Sequence, residues 1–530
     1  MQKETENRRV AKAAGVVGSA TLLSRIFGFI RDMVVAGFFG AGLATDAFFV
    51  AFRIPNLLRR LFAEGSLTIS FVPVFTEYLK KKSKEDAIGL ANTAFTLLSI
   101  ILVIVSLAGI FLSPLIVKII APGFSKVANK YELTVFLTRL MFPYIFFISL
   151  VALCMGILNS LRHFAAPALA PVVLNICIIG AAILLRNLFP EPIISLAVGV
   201  MVGGILQLAM QFPFLVKMGV KLRPSFDFKH PGVKKIGILM LPAVFGAAVY
   251  QLNIFISTLL ASLLPDGSVS YLYYADRVVQ LPLGVFAIAI GTASLPSLSE
   301  QASSGDSEEM KKTISFSLRL ILFVTIPAMF ALIALRVPII SVLFQRGEFN
   351  YQSTILTSQA LLYYAVGLWA FSAIRVVVSA FYSLQDTKTP VKVAIVALFA
   401  NAILGVILMF PLKHGGLALA TSIASAVNII ILFFMLKKKI GEFLGSEFYN
   451  SILKTLLSSL AMWGTIALVN YIFPWNNEGP FNERLLMLTS GIIAGLITFL
   501  FFSYILKSGE MTTVFEIAKR KISNGNKRLL

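Results

Sequence analysis

Long apolar stretches separated by short polar segments run along most of the chain, and their length predicts membrane-spanning helices. A helix needs roughly 20 mostly apolar residues to cross the hydrocarbon core of a bilayer. Fourteen segments meet that requirement. The predicted spans are residues 13–39, 43–79, 87–117, 132–158, 165–186, 192–216, 236–263, 269–297, 313–336, 354–382, 390–411, 415–436, 452–473 and 485–506. The pattern therefore predicts an all-α polytopic membrane protein with about 14 transmembrane helices.

The composition agrees with this prediction and excludes three other classes of protein. Of the 530 residues, 58% are hydrophobic and 13% are charged, and the mean hydropathy is +0.86. Soluble domains carry about a quarter charged residues. A soluble enzyme, a disordered chain and a disulfide-stapled secreted module are excluded. Cys154 and Cys177 lie within apolar runs, and the three histidines lie far apart in sequence, so we predict no cofactor and no metal site.

The strong basic excess is best explained by membrane topology. The chain has 46 Lys and Arg against 25 Asp and Glu, a formal charge of +21. These basic residues form short clusters between apolar runs instead of the basic face that nucleic-acid binding requires. With the N-terminus inside, 29 of them fall in inner segments and 8 in outer loops. Since cytoplasmic loops are enriched in Lys and Arg, we predict that both termini are cytoplasmic and that nucleic acid is not a partner.

The two parts of the chain resemble each other at a spacing of 223 residues. The matching pairs are Val72-Pro73…Glu77 with Leu295-Pro296…Glu300 and Ser160-Leu161…Pro167 with Ser383-Leu384…Pro390. A repeat of six spans, an even number, predicts two parallel lobes with substrate between them. The predicted division is an N-lobe with a cationic cavity (1–225, spans 1–6), a C-lobe (226–441, spans 7–12) and a C-terminal part with spans 13 and 14 and a basic cytoplasmic tail (442–530).

Nine basic residues lie more than two residues inside the ends of predicted spans, and all nine are arginine. A charge at the bilayer centre costs at least about 2.5–3.5 kcal/mol, so such residues usually serve function. Arginine keeps its charge in any surroundings and offers a planar fork that matches phosphate. The arginines with the strongest functional signal are Arg25, Arg31, Arg59 and Arg277, with Asp32, Asp46, Glu64 and Asp276 beside them. They predict a hydrated cationic cavity for an anion. No nucleophile or phosphate loop accompanies them, so transport is favoured over catalysis.

Several charged residues have simpler explanations. The isolated Arg139, Arg319 and Arg375 are better explained by snorkelling to the interface or by local ion pairs. Arg60 and Glu64 stand at positions i and i+4 and could form an ordinary helix pair. Asp32 has the alternative role of neutralising its neighbour in sequence.

A site for a monovalent cation is a further hypothesis for the second half of the chain. Asn253, Asn401 and Thr421 lie in apolar spans and could help to coordinate a cation. Residues of these types more often bond between helices, which is the alternative explanation. Gly405, one turn from Asn401, supplies no carboxylate.

Several motifs resemble the MurJ/MviN family of lipid II flippases, which belongs to the superfamily of multidrug, oligosaccharide-lipid and polysaccharide exporters. The resemblance covers the length of the chain. It rests on Ser24-Arg25-Ile26-Phe27-Gly28-Phe29-Ile30-Arg31-Asp32, Gly40-Ala41-Gly42, Ala44-Thr45-Asp46-Ala47-Phe48-Phe49-Val50-Ala51-Phe52, Pro55-Asn56-Leu57-Leu58-Arg59-Arg60, Phe62-Ala63-Glu64-Gly65, Tyr274-Ala275-Asp276-Arg277 and Leu295-Pro296-Ser297.

The resemblance implies a transporter, not an enzyme, in the bacterial cytoplasmic membrane. Its substrate would be lipid II, the undecaprenyl-diphosphate-linked disaccharide-pentapeptide, moved from the inner to the outer leaflet by alternating access. Membrane lipids and the cell-wall synthesis machinery are the implied partners. The family's essential arginines fall on Arg25, Arg31, Arg59 and Arg277, with Asp46 and Glu64 in the same motif. Family members couple transport to the membrane potential or to a monovalent cation, and their two added spans line a groove for the lipid tail.

Other functions stay open at this point. A flippase for another polyprenyl-diphosphate-linked saccharide would share the fold and the cationic cavity, but not the first-lobe motif. A multidrug exporter of the same superfamily would carry an acidic, aromatic-lined cavity. A membrane scaffold would not need arginines within its spans, and an enzyme acting on the lipid carrier would need paired carboxylates or a metal site.

Overall fold

The computed structural model describes residues 2–59, 67–227 and 229–512, and that part of the chain folds into helices without a β-strand. Eighteen α-helices are present there. They are α1 Gln2–Phe39, α2 Leu43–Leu58, α3 Thr68–Lys81, α4 Lys84–Ile120, α5 Lys130–Met141, α6 Tyr144–Ser160, α7 Ala165–Leu184, α8 Ile194–Lys217, α9 Pro231–Ser262, α10 Ser268–Pro282, α11 Ile288–Ser304, α12 Ser307–Ala334, α13 Arg336–Phe344, α14 Tyr351–Val366, α15 Leu368–Ser383, α16 Lys388–Ile440, α17 Ser446–Ile472 and α18 Phe481–Ile505. The predicted all-α polytopic fold is confirmed.

Within the described residues, eight helical segments are long and apolar enough to cross a membrane, counting α5 with α6 as one. A ninth arises if α14 and α15, which meet at a bend of 42°, form a single broken span. The 53 residues of α16 would extend roughly 80 Å as one straight helix, more than twice the hydrocarbon thickness. Its backbone is broken at Lys413, where φ is 50° and ψ is −131°. The number of fourteen spans stays a prediction.

Large apolar side chains cover the outward surface of several helices. On α4, for example, Phe111 is 78% exposed and Ile104 is 61% exposed. Water-soluble proteins rarely expose contiguous apolar patches of this kind. Lipid is a suitable surrounding for such a surface, because the helices satisfy their backbone hydrogen bonds internally.

The described chain forms two compact units. The first comprises Met1–Ser270 with Arg346–Phe349, and in it α7 packs on α1 and α8 while α2 packs on α5. The second comprises Tyr271–Gln345 with Asn350–Leu530, and in it α12 packs on α17 and α17 on α18. The division into an N-lobe, a C-lobe and a C-terminal part stays a prediction.

The 223-residue repeat is visible in the backbone. Arg162 after α6 and Gln385 after α15 stand 223 positions apart, and both adopt positive φ angles, 62° and 57°. Such angles are uncommon for residues other than glycine. In each copy the N–H of the following residue donates to the carbonyl five positions earlier. The two bonds are His163 N–H to Leu158 O at 2.8 Å and Asp386 N–H to Phe381 O at 2.9 Å. Both copies therefore connect corresponding helices by the same turn.

The second turn also caps the N-terminal end of α16. The Asp386 carboxylate accepts hydrogen bonds from the backbone N–H of Thr389 at 3.0 Å and from Lys439 Nζ at 2.9 Å. These donors hold the pKa of Asp386 well below its ordinary value. A lowered pKa means that the cap stabilises the fold above the unfolded pKa of about 3.9 and that this contribution is lost as the pH falls further.

Asp386→Asn keeps the cap but loses the ion pair with Lys439, and it is therefore expected to lower the stability of the purified protein by up to about 1 kcal/mol at neutral pH. Thermal unfolding in detergent measures the effect, which should stay constant down to the unfolded pKa of about 3.9 and shrink as the pH falls below it. Asp306→Asn is the matched control, because Asp306 caps α12 through the Glu309 N–H and asparagine caps equally well. If Asp386→Asn and Asp306→Asn lower the stability equally, the ion pair between Asp386 and Lys439 does not contribute to it.

Candidate functional site

Arg31 and Asp32 on α1 lie mostly buried and bind each other directly. The side chains are 13% and 3% exposed. Arg31 donates from Nε and Nη2 to Asp32 Oδ1, at 3.0 and 2.7 Å. Arg31 Nη1 also donates to Asn175 Oδ1 on α7, at 3.1 Å. The guanidinium is thus held between its own helix and a neighbouring one, and the structure brings together two of the predicted site residues.

Arg25 precedes Arg31 by six residues on α1 and is more exposed. Its side chain is exposed, although α1 continues as one helix through Gly28 to Phe39. Arg59 forms the C-cap of α2, where its N–H bonds to Pro55 O and Asn56 O, and its side chain is half-buried. Glu64 and Arg60 fall outside the described residues.

Asp46, in the first turn of α2, belongs to a separate buried charge cluster in the first unit. It forms an ion pair with Lys130 at 2.9 Å, and each of the two side chains is 1% exposed. Asp46 also accepts from the N–H groups of Gly267 and Ser270, at 2.8 and 2.9 Å, and from the Ser270 hydroxyl at 2.6 Å. Both carboxylate oxygens therefore receive protein donors.

Lys130 completes that cluster through two further contacts. It lies 2.7 Å from Asp266 Oδ1, and its ammonium stands 4.1 Å from the centroid of the Phe124 ring. Topology alone places Lys130 in an outer loop, and no motif marks it as buried. The fold buries it, and the cost of burying its charge is offset by two carboxylates and an aromatic face.

Arg53 is another cation whose partner the sequence does not reveal. It lies on α2 and donates to the hydroxyl of Thr258 on α9. Its spacing of seven from Asp46 places both on one face of α2. That face therefore carries polar contacts to α5, to α9 and to the segment that follows α9.

The remaining predicted charges, Asp276 and Arg277, lie on α10. Arg277 Nη2 donates to the Tyr273 hydroxyl at 3.1 Å, and its guanidinium lies 4.7 Å from the centroid of the same ring. Asp276 accepts a hydrogen bond from Gln280, one turn further along. Tyr273 thus holds the Arg277 guanidinium through both its hydroxyl and its ring face. Because tyrosine is neutral, this contact leaves the positive charge of Arg277 unchanged.

The simpler explanation holds for one of the three isolated arginines. Arg319 on α12 pairs with Glu447 Oε2 at 3.1 Å and with Glu510 Oε1 at 3.5 Å, which confirms the local ion pair. Arg139 and Arg375 have exposed side chains.

Two of the three residues of the hypothetical cation site contact each other. Thr421 Oγ1 donates to Asn401 Oδ1 at 3.3 Å, and both residues belong to α16 on either side of its break. This bond is of the interhelical kind that the alternative explanation predicts. Asn253 lies on α9, in the other compact unit. A cation site and the absence of a cofactor stay predictions.

Comparison with known proteins places the chain in a family. The family model for lipid II flippase MurJ matches residues 35–478, which is well over half of the chain. The chain belongs to the MurJ family. The resemblance found in the sequence motifs is thereby confirmed.

Relatives and solved structures agree with this membership. A probable lipid II flippase MurJ of Vibrio cholerae serotype O1 is 41% identical over 82% of this chain and 84% of its own length. A solved lipid II flippase MurJ in an inward closed conformation matches with a TM-score of 0.77 and 30% identity, over 92% of this chain and 99% of its own. An inward-facing MATE family multidrug resistance transporter of the MOP superfamily matches with a TM-score of 0.66 at 15% identity, over 81% of this chain and 98% of its own, and shares the fold.

The MurJ match includes some predicted site residues and begins after others. Asp46, Arg59, Glu64, Asp276 and Arg277 lie within the matched range. Arg25, Arg31 and Asp32 precede it. The substrate-binding roles of all eight stay predictions.

Proposed function

We propose that this protein is a lipid II flippase of the bacterial cytoplasmic membrane. The observation that carries the proposal is the match to the MurJ family over residues 35–478, supported by a solved MurJ structure that aligns with almost the whole chain. Its substrate would be the undecaprenyl-diphosphate-linked disaccharide-pentapeptide, carried from the inner to the outer leaflet by alternating access. The protein acts as a transporter and catalyses no covalent step.

Capture of the diphosphate is the task proposed for the arginines. Lipid II carries a negative diphosphate between a bulky polar head and a long apolar tail, so its head needs fixed positive charge in a hydrated site. Arg31 presents a planar fork held between two helices, which suits bidentate contact with phosphate oxygens. Arg25, Arg59 and Arg277 would supply further positive charge.

Release requires that capture be reversible, and Asp32 supports this requirement. Its carboxylate accepts hydrogen bonds from two N–H groups of Arg31. A phosphate oxygen would compete with Asp32 for these donors, so binding exchanges one anion for another and stays moderate in strength. A membrane potential that is negative inside then favours outward movement of the anionic head by about 2.3 kcal/mol per charge per 100 mV.

The proposal also covers the orientation of the protein in the membrane, its further partners and the energy source of transport. The excess of Lys and Arg in alternate segments supports cytoplasmic locations for both termini. Membrane lipids would surround the exposed apolar helices, and the enzymes that consume lipid II on the outer surface are the proposed further partners. The membrane potential or a monovalent cation would supply the energy, without a bound cofactor.

Depletion of the resident lipid II flippase in a bacterium tests the function directly. We expect expression of this chain to restore growth and the appearance of lipid II in the outer leaflet, measured with an enzyme that cleaves lipid II only from outside. A matched strain that expresses a MATE family transporter controls for the fold. If the well-inserted protein restores neither growth nor outer-leaflet lipid II, the proposed function is wrong.

A further inference from the structure

Asn175 lies on α7, buried against α1, and its amide binds α1 at two points. The side chain is 6% exposed. Its Nδ2 donates to the backbone carbonyl of Ser24 at 3.2 Å, and its Oδ1 accepts from Arg31 Nη1 at 3.1 Å. Ser24 and Arg31 are seven residues apart and share one face of the helix. One amide therefore ties an arginine side chain to the backbone of its own helix two turns earlier.

Gly28 lies next to the amide on this face of α1. It lies between the two contact points, four residues after Ser24 and three before Arg31. A Cβ atom added at Gly28 would stand 3.5 Å from Asn175 Nδ2, with no closer neighbour. That distance is ordinary van der Waals contact, so a longer side chain there would displace the amide. The glycine, the amide and the arginine form one local arrangement.

The contacts from Asn175 and Asp32 together orient the guanidinium. Asp32 Oδ1 receives the Nε and Nη2 donors, and Asn175 Oδ1 receives Nη1. Because the guanidinium is rigid and planar, acceptors on two of its sides fix the direction of the whole fork. We propose that Asn175 is a positioning residue for Arg31, which holds the fork in the orientation that receives the substrate diphosphate. This inference rests on the proposed lipid II transport.

The neutrality of the amide is part of this role. Arg31 and Asp32 already compensate each other, so a second carboxylate at position 175 would give the cluster a net negative charge and repel a diphosphate. Of the other helices that pack on α7, α6 has no charged residue and α8 has none before Lys217. The short 3-10 helix Arg186–Leu188 also packs on α7, but its Arg186 lies eleven residues after Asn175 and stacks on the ring of Phe38, away from the Arg31–Asp32 pair. Asparagine offers the same acceptor as aspartate without the charge.

The decisive experiment compares lipid II transport by purified variants in proteoliposomes. Relative to wild type, Asn175→Leu is expected to raise the apparent KM for lipid II by roughly tenfold, with the maximal rate changed less than about twofold, since one hydrogen bond to a charged group is lost. Asn175→Asp is expected to raise KM by at least as much. Adding Asp32→Asn to Asn175→Asp restores one carboxylate and one amide around Arg31, and should return KM to within about threefold of wild type.

A matched control separates positioning from packing. Gln207→Glu on α8 is also a buried amide-to-acid change, and Gln207 contacts the Ala170 carbonyl and Tyr144 instead of Arg31. It should leave the KM for lipid II unchanged. The positioning role is refuted if the Asn175 variants have the wild-type KM for lipid II. It is also refuted if the double variant Asn175→Asp, Asp32→Asn fails to restore KM although its melting temperature is that of the wild type. Absence of transport by wild type refutes the proposed function instead, so the two failures are distinguishable.

Discussion

Lys130→Met is expected to lower the apparent free energy of unfolding by about 3–5 kcal/mol, because it leaves the buried carboxylate of Asp46 without its cation. Asp46 cannot move into water to compensate, since it is 1% exposed and bound to the Gly267 and Ser270 backbones. Methionine has a similar length, so the change removes charge more than volume.

A buried cysteine can report on unfolding in this measurement. Cys154 on α6 is fully buried and the other cysteine, Cys177, is half-buried. In a Cys177→Ala background, a thiol-reactive dye follows the exposure of Cys154 during heating. Lys126→Met is the matched control, because Lys126 is exposed four residues earlier and should leave the melting curve unchanged.

A double variant refines the result. Asp46→Asn in the Lys130→Met background removes the uncompensated charge and is expected to recover part of the lost stability. If Lys130→Met melts like Lys126→Met, the ion pair contributes little to stability. Recovery by the double variant would show that the cluster acts through charge balance.

Arg31→Gln is expected to abolish complementation of a flippase-depleted strain, the second large effect. Glutamine keeps a polar side chain but loses the positive charge and the fork that would meet the diphosphate. Arg31→Lys keeps the charge without the planar fork and should complement weakly. Growth and outer-leaflet lipid II are the measurements, with protein amount in the membrane determined by immunoblot.

Arg139→Gln is the control for loss of a charge from a predicted span. Arg139 is exposed on α5 and has no proposed part in capture, so this variant should complement fully. Equal activity of the Arg31 and Arg139 variants would refute diphosphate capture by Arg31, even if the protein transports lipid II.

The sequence predicts the fold class and the family because both depend on signals that are local along the chain. Apolar runs of span length, the 223-residue repeat and the motif around Arg31 and Asp32 can be read without knowing which helices touch. The local ion pair of Arg319 was also predictable in part, because an isolated arginine in an apolar segment favours either an ion pair or snorkelling.

The partners of these charges depend instead on the three-dimensional arrangement of distant segments. Asn175 is 144 residues from Arg31, and an asparagine in an apolar span does not state which neighbour it meets. Lys130 lies 84 residues from Asp46 and resembles an ordinary loop lysine. Both become recognisable when packing shows that they are buried next to an opposite or complementary group.

The turn shared by Arg162 and Gln385 shows which part of the 223-residue repeat tolerates replacement of side chains. The two residues have the same backbone shape but unrelated side chains, and their neighbours His163 and Asp386 have different chemistry. The hydrogen bonds that close the turn come from the main chain and tolerate such replacement. The residues that lead into the turn, Ser160-Leu161 and Ser383-Leu384, match, whereas the turn itself keeps its torsion angles with different side chains, so the two turns should be interchangeable modules in an engineered protein.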